Sequence, residues 1–269
     1  FEIFWSAALM GPTEVPDGLA AGLADIGTVA PSYDPASFPM ANWLTQLAGQ
    51  SRGGSPYEGL TFGMAQWELG ITDPQLVKSF EDRGLKVLGA AALEGYSLLC
   101  RQPIPTLADA KGMRVRTAGV VFAKEAESLG MVPVRLLPTE IYEGFSRGIV
   151  NCVMHTPTGY INYGITDVDG AKVFVNSMFA GFSGAYTCIS KARWDSLPPL
   201  AQRILLDGFA AQTIDSLNSD LDQLRRFADM IDAGKITATD ADADFKAAVK
   251  AHQDGIVAGL AAEAPAGIQ

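Results

Sequence analysis

Short apolar runs alternate along the chain with longer stretches in which apolar residues recur every three or four positions. The first pattern predicts strands and the second predicts helices packed by one face. "FEIFW" (1–5), "DIGTVAP" (25–31), "LKVLGAAAL" (85–93), "RVRT" (114–117), "VPVRLL" (132–137) and "IVNCVM" (149–154) read as strands, and "EGYSLLCRQPI" (94–104) as a further extended run. "EVPDGLAAGLA" (14–24), "DPQLVKSFEDRG" (73–84), "VFAKEAESLG" (121–130) and "TEIYEGFSRG" (139–148) read as helices, the second and third closed by Gly84 and Gly130, the last capped by Thr139. Strand and helix in alternation imply parallel sheets covered by helices. On such sheets ligands gather at the carboxyl ends of strands.

Residues 196–234 break the rhythm. Ile204, Leu205, Phe209, Leu217, Leu221, Leu224, Phe227 and Ile231 keep helical spacing throughout. Ser196 can cap, Pro198 suits a first turn and Gly234 suits a C-terminal stop. A helix over 198–233 is about 54 Å long, more than a small domain is wide, so it is expected to span two lobes. Gly208 is a candidate kink. "GQSRGGSPYEG" (49–59) reads as a surface loop. No internal repeat or low-complexity linker is visible.

Composition narrows the possibilities. The 269 residues are 48% hydrophobic with a formal net charge of −10. A chain of this kind holds a sizeable core in one large domain or two lobes. The acidic balance argues against nucleic acid but not against a small anion, for which local charge decides. No apolar run reaches the ~20 residues that cross a bilayer. No secretory leader is legible, and because the chain opens in mid-pattern this carries no weight. Cys100, Cys152 and Cys188 are too few and too scattered for a disulfide framework or a zinc site; three inert thiols are expected, with one bridge as the alternative.

Enzyme signatures are missing. The chain has two histidines, His155 and His252, and no HExxH, GxSxG, GxxxxGK[ST] or GxGxxG motif. Cys152 and His155 lie three apart, but a nucleophile pair needs an orienting third group that sequence adjacency does not supply. His252 is expected to be solvated, and "TDADAD" (239–244) to be a helix-start cap, since it lacks the calcium loop's spacing. Most aromatics should be core, although Tyr33 and Tyr96 each follow a strand, where pockets form. The pair Arg114 and Arg116 is the strongest candidate. Alternation on a strand points both the same way. Arg116 is nearer the carboxyl end, and its planar fork suits a carboxylate. From these residues alone, a ligand clamp and a structural ion pair remain equally open.

Four stretches in order carry a resemblance. "TLADAKGMRVRTAG" resembles the Asp-Leu-Lys-Gly-x-Lys-(Ile/Leu)-Arg segment of the solute-binding proteins of tripartite ATP-independent periplasmic (TRAP) transporters. "ALMGPTEVPDGLAAGLADIGTVAPSYDPASFP", "GMVPVRLLPTEIYEGFSRGIVNCVMHTP" and "SKARWDSLPPLAQRILLDG" resemble that family's opening, its Glu-(Val/Leu)-Tyr-x-Ala-Leu segment and its Trp-x-x-Leu-Pro helix entry. The resemblance spans almost the whole chain. It implies an α/β, two-lobed periplasmic-binding-protein-like fold with crossing hinge strands and one long helix spanning both lobes, closing on ligand like a hinged clamp. Lobe I would hold 1–93 plus 184–223, and lobe II 94–183 plus 224–269. Against the family pattern the chain starts late, and one further βα unit, roughly 30 residues or more, is implied ahead of Phe1.

The resemblance also implies a function: a monomeric periplasmic protein that captures a small organic carboxylate and hands it to TRAP membrane permease subunits, with no catalysis and no cofactor. A small-molecule enzyme on an α/β fold and a carboxylate sensor of another system are the alternatives. The family's carboxylate-binding arginine falls on Arg116, which tips that residue to clamp and leaves Arg114 as a solvated neighbour. The cleft Asn falls on His155, a position some members fill with a second Arg on Tyr96, and further contact positions on Tyr33, Phe182 and Ser183. One confident cleft arginine favours a monocarboxylate, a preference that Arg101 or Arg135 could overturn. The family's Asp-Gly is here Asn151-Cys152; were that glycine needed for positive φ, Cys would cost about 1–2 kcal/mol. His155 in place of Asn adds a pH-dependent charge. The stretch 176–190 has no Asp or Glu, so the carboxylate-held metal of some oxo-acid binders is not expected, and neither is the sialic-acid arrangement.

Overall fold

A computed structural model describes residues 2–5, 7–46, 56–91, 94–170, 173–176, 179 and 185–263. It divides into two compact units. Unit 1 holds Phe1–Thr45, Leu60–Ala92 and Ser183–Asn218; unit 2 holds Gln46–Gly59, Leu93–Phe182 and Ser219–Gln269.

Unit 1 is built on a three-stranded sheet of β1 (Ile26–Val29), β8 (Tyr186–Ser190) and β2 (Leu85–Ala90), with β8 in the middle and antiparallel to both neighbours. Helices α1 (Val15–Ala20), α2 (Pro39–Thr45) and α4 (Pro74–Glu81) flank it. Local chemistry sets the limits of α4. Asp73 Oδ1 accepts the amide protons of Gln75 and Leu76 at 3.1 and 2.8 Å, and Pro74 takes the first turn, where its missing N–H costs nothing. Gly84 leaves the segment at φ +71°, a conformation that suits glycine. Leu76 and Phe80 on the buried face join Leu19, Val29, Phe38, Leu85, Val87 and Tyr186 in one core.

Unit 2 is built on six strands in the order β5 (Val132–Arg135), β4 (Arg114–Thr117), β6 (Cys152–His155), β3 (Ser97–Cys100), β7 (Val173–Asn176), β9 (Thr237–Asp240). The pairs β4–β5, β4–β6 and β7–β9 are parallel; β3 runs antiparallel to β6 and β7. Its core gathers Leu99, Ile141, Phe145, Val150, Val153, Tyr160, Phe174 and Phe227, with side chains from α7 (Ile141–Ser146), α8 (Pro157–Asn162) and α10 (Pro199–Asp232). The α10 helix is continuous through Gly208, with residues up to Asn218 in unit 1 and Ser219 onward in unit 2.

The all-parallel sheets expected from the βα alternation are therefore corrected to one antiparallel and one mixed sheet. Parallel neighbours need a crossover of a dozen residues or more, and β3 and β8 are not delivered that way. The chain passes from β2 in unit 1 to β3 in unit 2, and from β7 back to β8. The chain thus crosses between the units on the way into β3 and again on the way into β8.

Smaller corrections follow from hydrogen bonding. Residues 2–5 form no strand, and Ile3, Phe4 and Trp5 are largely exposed; an apolar run without a ladder partner has nothing to make it a strand. The expected loop over 49–59 lies outside the described residues up to 55, and from Pro56 it is helix, the start of α3 (Pro56–Thr72). Thr139 sits inside a short 3-10 turn, Pro138–Glu140, and it is Glu140 that precedes α7; its carboxylate accepts the Leu137 amide proton at 2.7 Å. Ser196 ends α9 (Lys191–Ser196) rather than capping α10, whose first carbonyl acceptor is Pro198. "TDADAD" is a cap, as expected: Asp242 Oδ1 accepts the Phe245 amide proton at 2.8 Å at the start of α11 (Ala243–Glu263).

The cysteines also depart from expectation. Cys100 and Cys152 are cross-strand partners in the β3–β6 ladder and form a disulfide, while Cys188 is a buried free thiol. Sequence separation hid a pair that the antiparallel register places face to face. Cys152 takes no positive φ, so the strain considered for a replaced glycine does not arise.

Candidate functional site

The β4 strand lies inside the unit 2 sheet, with Arg116 in register between Val134 of β5 and Val153 of β6. Its side chain is fully buried. The guanidinium donates from Nε to the Leu136 carbonyl at 3.1 Å and from Nη1 to the Met154 carbonyl at 3.3 Å. Nη2 is buried and has no partner among the described residues. Arg116 also makes no ion pair among the described residues. A buried cation held by two neutral carbonyls is under-compensated, and its bare arm is a donor suited to an anion.

His155 ends β6 and is almost fully buried. Its Nδ1 accepts the Thr156 amide proton at 2.7 Å, so the neutral ring carries its proton on Nε2. Burial first, then the Arg116 charge, holds its pKa well below the usual histidine value. The pH-dependent charge expected from the sequence is thereby suppressed near neutrality. Tyr96 lies flat between two rings, 4.3 Å from Phe122 and 5.2 Å from His155, with interplanar angles of 10° and 14°. Tyr163 meets His155 edge-on at 5.2 Å. Stacks of this kind contribute about 0.5–1.5 kcal/mol per pair beyond area burial. Gly159 leaves room for the ring: a Cβ there would sit 2.0 Å from His155 Nδ1.

The depressed pKa makes a prediction with a definite sign. Below the unfolded value of about 6.5 the unfolded chain takes up a proton that folded His155 refuses. The stability it allows is therefore complete above pH 6.5 and declines as pH falls below it. Stability should fall between pH 8 and 5.5, with the loss concentrated below pH 6.5. Urea unfolding of wild type and His155→Asn across that range should show a shallower pH slope in the variant. His252, whose pKa is also lowered by partial burial, is common to both proteins and cancels. Equal slopes would refute the assignment.

Arg116, His155 and Tyr96 thus come together in one unit. Tyr33 closes a 3-10 turn, Pro31–Tyr33, in unit 1. Phe182 and Ser183 lie outside the described residues. Arg114 is exposed and donates to the Gly148 carbonyl at 2.8 Å. Arg101 is half-buried and turned to the end of α7, donating to the Phe145 and Ser146 carbonyls with its charge 5.2 Å from the Phe145 ring. Arg135 is exposed at the end of β5. Cys152 has its sulfur bonded to Cys100, which leaves His155 no thiol to activate and removes that route to an enzyme. No group of three or more metal-ligating side chains occurs among the described residues.

Sequence reasoning missed Phe122, Tyr163, Glu94 and Thr158. Glu94 had a signal, as the one acid in the apolar stretch 85–100. It is buried, with Oε1 accepting the Thr158 amide proton at 2.7 Å and Oε2 unpartnered among the described residues.

Two α/β units linked by chain crossings and by one long helix have the architecture of the two-lobed solute-binding class of protein. Residues 64–263 match the model of bacterial extracellular solute-binding protein, family 7, and the chain belongs to that family, the TRAP solute-binding proteins its motifs resemble. A solute-binding protein of Albidiferax ferrireducens is 22% identical over 205 residues, which is 74% of this chain; the chain spans 56% of that relative's length. Among solved structures, a marine-metagenome TRAP solute-binding protein specific for pyroglutamate superposes with a TM-score of 0.80 at 18% identity, covering 97% of this chain and 82% of that one. A Sulfitobacter TRAP periplasmic solute-binding protein with bound β-D-galacturonate gives 0.78 at 21% identity, covering 97% and 83%.

Proposed function

We propose that the chain is the periplasmic solute-binding component of a TRAP transporter, taking up a small organic acid and delivering it to the membrane permease subunits. The observation that carries this reading is the bare, buried Nη2 of Arg116, beside a histidine that presents Nε2–H. A ligand carboxylate accepts from the guanidinium fork, and His155 adds a neutral donor. The stack of Phe122, Tyr96 and His155 forms an apolar wall against which a small ring or chain can lie. Arg101 Nη2 is engaged at α7, and Arg116 is the guanidinium assigned to ligand charge; a single clamp supports a monocarboxylate, and pyroglutamate and galacturonate, bound by the two structural neighbours, each carry one carboxylate. The disulfide fits an oxidising compartment, and no helix among the described residues is long and apolar enough to cross a membrane.

A thermal-shift screen of small mono- and dicarboxylates tests the reading. A true ligand at 100 times its Kd stabilises by about 2.7 kcal/mol, a rise of roughly 5–10 °C for a protein of this size. Shifts from monocarboxylates that vanish in Arg116→Ala are expected. No shift from any acid, or turnover of a bound acid, would reject it.

A further inference from the structure

Of the five buried polar atoms in unit 2 that have no partner among the described residues, three belong to residues tied by sequence or interaction to the Tyr96–His155 pair: Arg116 Nη2, Glu94 Oε2 and Thr158 Oγ1. Leaving such atoms unmet is costly, and the native fold would be expected to satisfy them in some functional state. Glu94 precedes Tyr96 by two residues, and its other oxygen is held by the Thr158 amide. Thr158 lies three residues past His155, on which Tyr96 stacks. Arg116 is close enough to His155 for its charge to disfavour protonation there. The surroundings of the stack thus combine two unlike groups, a guanidinium with a bare Nη2 and a carboxylate with a bare Oε2.

From this arrangement we infer that the ligand is an acid that also bears an N–H donor, its carboxylate on Arg116 and its nitrogen on Glu94 Oε2, with Thr158 Oγ1 alongside. The inference rests on the solute-binding reading and narrows it. Glu94, when ionised, only accepts hydrogen bonds, so an anionic or acceptor-only group beside it is repelled. Asp220, half-buried on α10, adds a second carboxyl near Glu94; burial first, then the Glu94 charge, pushes it up to about 7. A nitrogen with a full or partial positive charge answers the Glu94 carboxylate better than a hydroxyl or an ether oxygen.

The test uses four ring acids of nearly one shape: L-proline and L-pyroglutamate, which carry the N–H, and tetrahydrofuran-2-carboxylate and cyclopentanecarboxylate, which lack it. Calorimetry on the full chain should show the nitrogen acids binding about 100-fold tighter or more, because a site built around a donor rejects the analogue without it. Glu94→Gln keeps the shape and the acceptor facing Thr158, but turns the free oxygen into a donor. It should weaken the nitrogen acids by about tenfold to a hundredfold and leave cyclopentanecarboxylate unchanged. Thr158→Val keeps the backbone amide that holds Glu94 and should give a smaller loss with the same selectivity. Equal affinity of wild type for ring-nitrogen and ring-oxygen acids, or an equal loss for all four in Glu94→Gln, overturns the inference. If acids bind and depend on Arg116 while ignoring the donor, the solute-binding reading stands and this inference falls. If none of the four binds and no other acid does, both fall.

Discussion

Arg116→Ala is expected to weaken acid binding between about 30-fold and a few thousand-fold. Truncating one partner of a desolvated charge pair costs about 2–5 kcal/mol, and each 1.4 kcal/mol is a factor of ten. The structure adds a second consequence. Arg116 also satisfies the carbonyls of Leu136 and Met154, so alanine strands two buried acceptors and opens a cavity in the middle of the sheet. Stability should fall as well, and affinity must be measured on protein shown to be folded. Arg116→Lys separates the two effects. A lysine keeps the charge and can reach one acceptor, but it cannot bridge two carbonyls and still present a fork. It should recover part of the stability and little of the affinity. Calorimetry with an acid identified by thermal shift, run beside urea unfolding, gives both numbers. Unchanged affinity in folded Arg116→Ala would reject the clamp. Arg114→Ala, which removes an exposed contact to Gly148, should change affinity little.

The second large effect concerns the disulfide. Cys100 and Cys152 are 52 residues apart, and closing a loop of that length removes about 4 kcal/mol of unfolded-state entropy in the chain model. Cys100→Ser combined with Cys152→Ser should lower stability by roughly 2–4 kcal/mol and Tm by about 5–15 °C. The bridge lies at the end of the β3–β6 ladder opposite Ser97 and His155. Acid binding by the doubly substituted protein, measured well below its Tm, should therefore change far less than its stability does. A Tm equal to that of wild type, with or without reductant, would show that the two sulfurs are not joined.

The fold was legible wherever a rule acts over a few residues. "RVRT" is a strand over those four positions, the Asp73 cap and the Gly84 stop bound α4 and its exit, and α10 runs within a residue of the limits its spacing set. What lay hidden depends on partners distant in sequence. The antiparallel entry of β3 and β8 comes from chain crossings between units. The Cys100–Cys152 bond follows from register, and "TATD" becomes β9 because β7 offers it an edge. The site divides along the same line. Arg116 stood out as a charge near a strand end. Tyr96 and His155 were placed by family register, and the structure accounts for them as neighbours in one stack. Phe122 is one apolar position among several in α6 (Val120–Ser128), and although Glu94 is the one acid of an apolar stretch, its contact with the Thr158 amide depends on a partner 64 residues away.

The state of the three thiols has a practical consequence. Two are consumed in the bridge, and Cys188 is fully buried in unit 1 with its pKa pushed up by that burial, so the protein offers maleimide dyes no reactive native thiol. A single cysteine introduced on the surface of unit 2, at Tyr142 for example, which is 45% exposed, would take one fluorophore at one position without removing any native cysteine first. The protein is in that respect ready to be made into an optical reporter for whichever ligand a binding screen identifies.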